Sequence, residues 1–314
     1  MSSVLRILLA GMALSSSLLA SGAGKGHGMS SPSPDREAPI NRPLGASTLK
    51  ASIKSIFLRI VQARIYHAGD WTLTDNSQTP VTAARTIASL QPTFVTGLVR
   101  VSNDLKLSNA EAEAFKSVRS AVLAIAPTCR FDAVLNLGVI SSGDHLVGRL
   151  KELNFRIQPD AWTFHVARNT QALVPEVFEE GIAYAHSCGQ MVGYDGPLSL
   201  VPEGVDFIVV RAWGMTVDAE DLAVLRAKHR VPLIVQLPTT SSAGQPEEVA
   251  AFSKNMGTKE RSELLTELAA NQSDLGYRLA YPVYYPVDAS HRAFDVTKDN
   301  TLLVTIRSLL ARYD

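Results

Sequence analysis

From residue 51 onward the chain alternates two hydrophobic rhythms. Short runs dense in β-branched and aromatic residues give way to polar loops, then to longer stretches with apolar positions three and four apart. The runs are SIFLRIVQ (55–62), TFVTGLVRV (93–101), FDAVLNLGV (131–139), AWTFHV (161–166), QMVGYD (190–195), DFIVVRAW (206–213), PLIVQLP (232–238) and YRLAYPV (277–283). Several are almost continuously apolar, the pattern of strands covered on both faces. Between them, SNAEAEAFKSVRSAVLAI predicts a helix opening at Ser108, because Glu111 three residues on completes a capping box. GDHLVGRLKELN, VPEVFEEGIAYAHSCG and DAEDLAVLRAKH predict further helices, with Gly189 as a stop, and DNTLLVTIRSLLARY predicts an amphipathic last helix. Gly196 to Gly204 is too short for a full helix, so the fifth crossover is expected to be a loop or a single turn.

Eight strands joined by crossovers predict a (β/α)8 TIM barrel, a fold that takes about 250 residues. A doubly wound open sheet is the runner-up. Its dinucleotide signature, G-x-G-x-x-G after the first strand, is absent. The barrel domain is expected to span residues 48–314.

The rhythm fails before it. Arg6 precedes ILLAGMALSSSLLASGA, an apolar core that ends in small residues and reads as a secretory signal peptide over residues 1–23. Ser21 and Ala23 suit cleavage after Ala23, and the core is short for a membrane span of roughly 20 residues. Residues 24–47 are rich in Gly, Ser and Pro without apolar period, which predicts a flexible linker. The expected location is secreted or periplasmic, with no stable membrane insertion after cleavage. Export permits a disulfide between Cys129 and Cys188; two free thiols fit the sequence equally well.

Composition narrows the partners. Thirty basic residues balance thirty acidic ones in 314 residues, with no basic block, so electrostatic binding of nucleic acid or anionic lipid has no support.

In such barrels chemistry sits at the C-terminal ends of the strands and in the loops that follow. The first strand leads into ARIYHAGDWTLTDN, with His67, Asp70 and Trp71. Later strand ends and the loops after them carry Arg100 and Asp104, then Asn136, Trp162 and His165, then Asp195, Arg211 and Trp213, then Gln236 and Tyr281. All three tryptophans of the chain are in this set. An indole face stacks on the apolar face of a sugar ring while its N–H bonds a hydroxyl; the same residues serve equally as core. The lysines fall outside strands, against Schiff-base chemistry. The histidines are scattered, against a metal site, and G-x-S-x-G is absent. No cofactor is indicated.

Glycoside hydrolysis remains, which needs two carboxyls across the scissile bond. Asp195 is the carboxylate standing at a strand end, with Asp70 or Asp104 as the expected partner and Asp144 or Asp288 as further ones. His67 or His165 could tune one of them. Many barrel glycosidases carry a glutamate at the end of strand four, where this chain has WTFHV. Asp195 could also open an Asx turn before Gly196-Pro197. On its export signal, strand count and Trp/Asp/Asn/Arg strand ends, the chain resembles secreted bacterial glycoside-hydrolase-like barrels. That resemblance implies a carbohydrate ligand. The strand ends and their loops supply His67, Trp71, Arg100, Asn136, Trp162, His165, Arg211, Trp213, Gln236 and Tyr281 as expected substrate contacts. The alternative is a catalytically inactive barrel that binds a glycan or cell-envelope component.

Overall fold

The structure, a computed structural model, describes residues 55–63, 80–101, 106–137, 142–166, 175–212, 217–237, 257–285, 294–295 and 299–312. The expected signal peptide and linker lie outside them. Eight parallel strands form a closed barrel: β1 (Ile60–Ala63), β2 (Phe94–Val101), β3 (Arg130–Asn136), β4 (Ala161–His165), β5 (Met191–Asp195), β6 (Phe207–Arg211), β7 (Leu233–Gln236) and β8 (Arg278–Tyr285). Each pairs with its successor, and β1 pairs with β8 to close the ring. A short β9 (Phe294–Asp295) runs antiparallel to β8.

Helices cross between the strands: α1 (Pro80–Ser89), α2 (Asn109–Leu123), α3 (Gly143–Arg156), α4 (Pro175–Ser187), α5 (Ala219–His229) and α6 (Thr258–Leu275), with α7 (Asn300–Arg312) last. The β5–β6 crossover is a single 3-10 turn, Leu198–Leu200. The capping box forms: the Ser108 hydroxyl accepts from the Glu111 N–H, and the Glu111 carboxylate accepts from the Ser108 N–H. Gly189 follows α4 with φ +74°, a left-handed conformation that suits glycine. The first strand starts later than its apolar run implies. Ser55 to Arg59 precede β1 and turn Phe57 into the base of the barrel.

Alternation along the strands separates two cores. Val61, Phe131, Leu135, Trp162, Phe164, Val192, Tyr194 and Ile208 face outward and pack with Leu146, Leu150, Leu265 and Ile306 of the helices. Phe57, Ile60, Phe94, Ala161, Met191, Phe207, Val209, Ile234 and Ala280 face inward and form an apolar plug. Three rings anchor it: Phe57 lies 5.0 Å from Phe94 and 5.3 Å from Phe207, and Phe94 lies 5.7 Å from Phe207, all in tilted or edge contacts. Gly193 makes room for them, since a Cβ there would stand 2.1 Å from the Phe207 ring. Cys129 is buried and Cys188 exposed, and both are free thiols.

Candidate functional site in the barrel lumen

Above the plug the inward positions turn polar. Inward residues of this region include Gln62 of β1, Thr96 of β2, Asp132 of β3, Thr163 and His165 of β4, Asp195 of β5, Arg211 of β6 and Gln236 of β7. The Gln236 amide donates to the Thr96 hydroxyl across the lumen at 3.0 Å. Such interiors are usually filled by layers of branched apolar side chains.

One connected cluster joins three adjacent strand ends. His165 and Asp195 are register partners, and Val209, two residues before Arg211, pairs with Asp195. Arg211 donates through Nε to Oδ1 of Asp195 at 3.1 Å and through a terminal nitrogen to Oδ2 at 2.6 Å. Nδ1 of His165 lies 2.9 Å from the same Oδ2. A carboxylate bound by arginine offers only lone pairs, so Nδ1 carries the proton and donates. Asp195 is 5% exposed. Burial pushes its pKa up, but the Arg211 charge and the His165 hydrogen bond outweigh that and hold it well below the usual carboxylate range. Asp195 is therefore a fixed anion that sets the His165 tautomer and clamps Arg211. Its carboxylate bonds side chains of neighbouring strands and does not cap an Asx turn. The turn after it is tied instead by the Tyr194 hydroxyl, which donates to the Pro197 carbonyl at 3.1 Å.

Asp132 lies deeper and is absent from the sequence-based set. It is completely buried. It accepts from the Thr96 hydroxyl, the Gly97 N–H and the Thr163 hydroxyl. Burial raises its pKa to about 6 against those hydrogen bonds, with Asp195 adding a little. The Gly97 contact sits in a bulge: Val95 pairs with Phe131, but Val99 pairs with Ala133, so β2 spends two extra residues there. Gly97 has φ +76°, which a residue with a side chain rarely adopts. The bulge shifts Arg100 down to pair with Val134. Sequence signals for this acid existed: Asp132, Val134 and Asn136 share one strand face, opposite Phe131, Ala133 and Leu135.

Two expected substrate contacts are core residues instead. Trp162 is 0% exposed in the outer core, and its indole N–H lies 3.3 Å from Oδ1 of Asn154 and 3.2 Å from Oε1 of Gln190. Tyr281 is also buried in the outer core, in register with outward-facing Val61. Each follows a lumen-facing residue, Ala161 and Ala280 respectively, and strand parity sends both toward the helices. Asn136, His165, Arg211 and Gln236 do face the lumen, and Arg100 shares the register of inward Val134. Asp144 is an exposed residue of the first turn of α3. His67, Asp70, Trp71, Asp104, Trp213 and Asp288 lie outside the described residues. Among the described residues no group of three His, Cys, Asp or Glu is placed to hold a metal ion.

No family model and no curated protein matches the chain. Solved structures do. The β-D-glucuronidase of Dictyoglomus thermophilum is similar at TM-score 0.51 and 10% identity, over 75% of this chain and 47% of that one. This chain thus spans about half the length of that enzyme. An active domain of the chitinase of Pyrococcus furiosus follows at TM-score 0.49 and 8% identity, over 81% and 96%. The homocysteine methyltransferase MmuM of Escherichia coli is similar at TM-score 0.47 and 11% identity, over 81% and 96%. The likeness is one of fold: the described residues form a single (β/α)8 barrel, a fold these proteins of different activities share.

Proposed function

We propose that the protein is an exported carbohydrate-active hydrolase that works in the secreted or periplasmic space. The observation that carries the reading is the polar lumen, where Asn136, His165, Asp195, Arg211 and Gln236 line the C-terminal half of the barrel above an apolar plug. Amide, imidazole and guanidinium groups at strand ends suit a ligand with several hydroxyls. The fold shared with a glucuronidase supports that ligand class. His165 stands at the end of strand four, and with Nδ1 held by Asp195 its Nε2 is the atom able to exchange a proton with substrate or water. Asp195 then acts by positioning, and the carboxyls that flank the scissile bond come from the loops, with Asp70 and Asp104 first.

A second reading has its own support. Both oxygens of Asp195 are engaged and the side chain is buried, which favours a positioning role over attack on an anomeric carbon or protonation of a leaving group. A catalytically silent barrel that binds a glycan or envelope component needs no more than this. The mature protein, Asp195→Asn and His165→Gln are incubated with polysaccharides and aryl glycosides, and reducing ends or aryl alcohol are measured. Turnover that both substitutions lower by about 10²-fold or more establishes the hydrolase. Absence of turnover on every substrate, with glycans still raising the wild-type melting temperature, establishes the binding barrel.

A further inference from the structure

Two acceptor oxygens in the lumen have no hydrogen-bond partner among the described residues: Oε1 of Gln62 and Oδ1 of Asn136. Gln62 is 4% exposed. It lies on the face of β1 that carries the plug residue Ile60, in register with Thr96 on one side and Pro282 on the other. Asn136 lies on the face of β3 that carries Asp132, in register with His165. A buried carbonyl oxygen left without a donor is destabilising by itself, and natural interiors hold few of them. Neighbouring polar groups do not relieve these two. The Thr96 hydroxyl donates to Asp132 and receives the Gln236 amide, and the Thr163 hydroxyl is spent on Asp132. On the adjoining strands, His165 and Arg211 converge on Asp195.

β1 and β3 thus each present an open acceptor oxygen to the lumen, and β4 to β6 beside them hold an internally neutralised charge cluster. We infer that Gln62 and Asn136 form a ligand subsite that receives hydrogen-bond donors, namely hydroxyl groups of a sugar ring seated in the lumen. This deepens the proposed function and rests on it. A hydroxyl can donate to an amide oxygen while accepting elsewhere, so a ring entering from the C-terminal rim would satisfy both oxygens at once. Gln62 is the new element; the sequence shows it only as the last residue of an apolar run.

An unsatisfied acceptor leaves a signature that an ordinary core glutamine lacks. Replacing it with an apolar residue of similar size should not weaken the unliganded protein, yet should weaken ligand binding. The full-length mature chain, Gln62→Met and Asn136→Leu are compared by thermal unfolding without ligand, and by titration calorimetry with glucose, glucosamine, glucuronic acid, cellobiose and chitobiose. The expected result is a melting temperature equal to or above wild type in both variants, with affinity for the best probe reduced about tenfold or more in each. A lowered melting temperature in both variants overturns the inference, because the oxygens would then be serving the fold. Unchanged affinity in both overturns it also, while leaving the sugar reading intact. A wild type that binds none of the probes overturns the sugar reading and the subsite together.

Discussion

Asp195 and Asp132 are the same residue type in one lumen, and their surroundings drive them apart. Asp195 has a cation on both oxygens and stays ionised; Asp132 has neutral donors alone and is pushed up to about 6. Their contributions to stability therefore run in opposite directions with pH. A depressed carboxylate stabilises above its unfolded pKa and loses that contribution as pH falls, so the Asp195 contribution is full above about pH 4 and is lost progressively below it. A raised one binds its proton more tightly in the folded state, so stability falls as pH rises from the unfolded value near 4 to the folded value of about 6. Asp132→Asn should remove that fall. Urea unfolding at about pH 4.5 and about pH 6.5 should show wild type losing about 2 kcal/mol across the interval from this group, a loss that the variant lacks. His186, raised by its hydrogen bond to Asp206, contributes at the upper edge: its stabilisation is full below about pH 6.5 and disappears as pH rises through the folded value. The two effects separate by adding Asp206→Asn to the comparison. An equal slope in wild type and Asp132→Asn would show that Asp132 ionises no differently on folding.

At the scale of elements, the capping box of α2 is where sequence and structure agree most closely. Ser108→Ala should cost about 1 kcal/mol, read as a lower urea midpoint without change in slope, because it leaves the Glu111 N–H without its hydroxyl acceptor. Such a motif is legible because every contact it needs lies within three residues. The eight strands were legible for a related reason, since burial on both faces writes a continuous apolar run. That same continuity conceals which face is the lumen. In AWTFH the polar residues Thr163 and His165 alternate with Trp162 and Phe164, and reading that alternation would have sent Trp162 outward. Tyr281, in LAYPV, has no such polar neighbours to mark its face. Asp132 was missed because it sits early in its strand, below the end where functional groups are sought, and the bulge it holds depends on a neighbour 35 residues away at Gly97. The pairing of Asp195 with Arg211 spans 16 residues and a strand register, so the sequence presents the two as separate strand ends rather than as one ion pair.

Across the whole molecule, the two rims of the barrel divide the work. At the N-terminal rim one device occurs three times. Thr93 before β2, Asp160 before β4 and Asp206 before β6 each donate their N–H to a carbonyl of the preceding strand segment, of Arg59, Phe131 and Val192 respectively. Each side chain then accepts the N–H of that same residue, at 2.9, 3.1 and 2.7 Å. The strands are thus clamped in pairs, first with second, third with fourth, fifth with sixth, and the groups that do it are spent on backbone. Asp160 carries the most, because Arg119 and Arg130 also bind it at 3.3 and 3.1 Å. The C-terminal rim holds its polar groups toward the lumen instead. Asp160→Ala strips a buried N–H of its acceptor and should lower stability by on the order of 1–3 kcal/mol. The apolar plug of Phe57, Phe94 and Phe207 lies between that rim and the lumen and is packed tightly enough that Gly193 has no room for a methyl group. The loss should therefore stop at the plug. On the proposed carbohydrate reading, glycan binding by Asp160→Ala, measured well below its melting temperature, should equal that of wild type. A fall in affinity that tracks the fall in stability would mean instead that the strand clamps set the geometry of His165 and Asp195 through the length of β4 and β5.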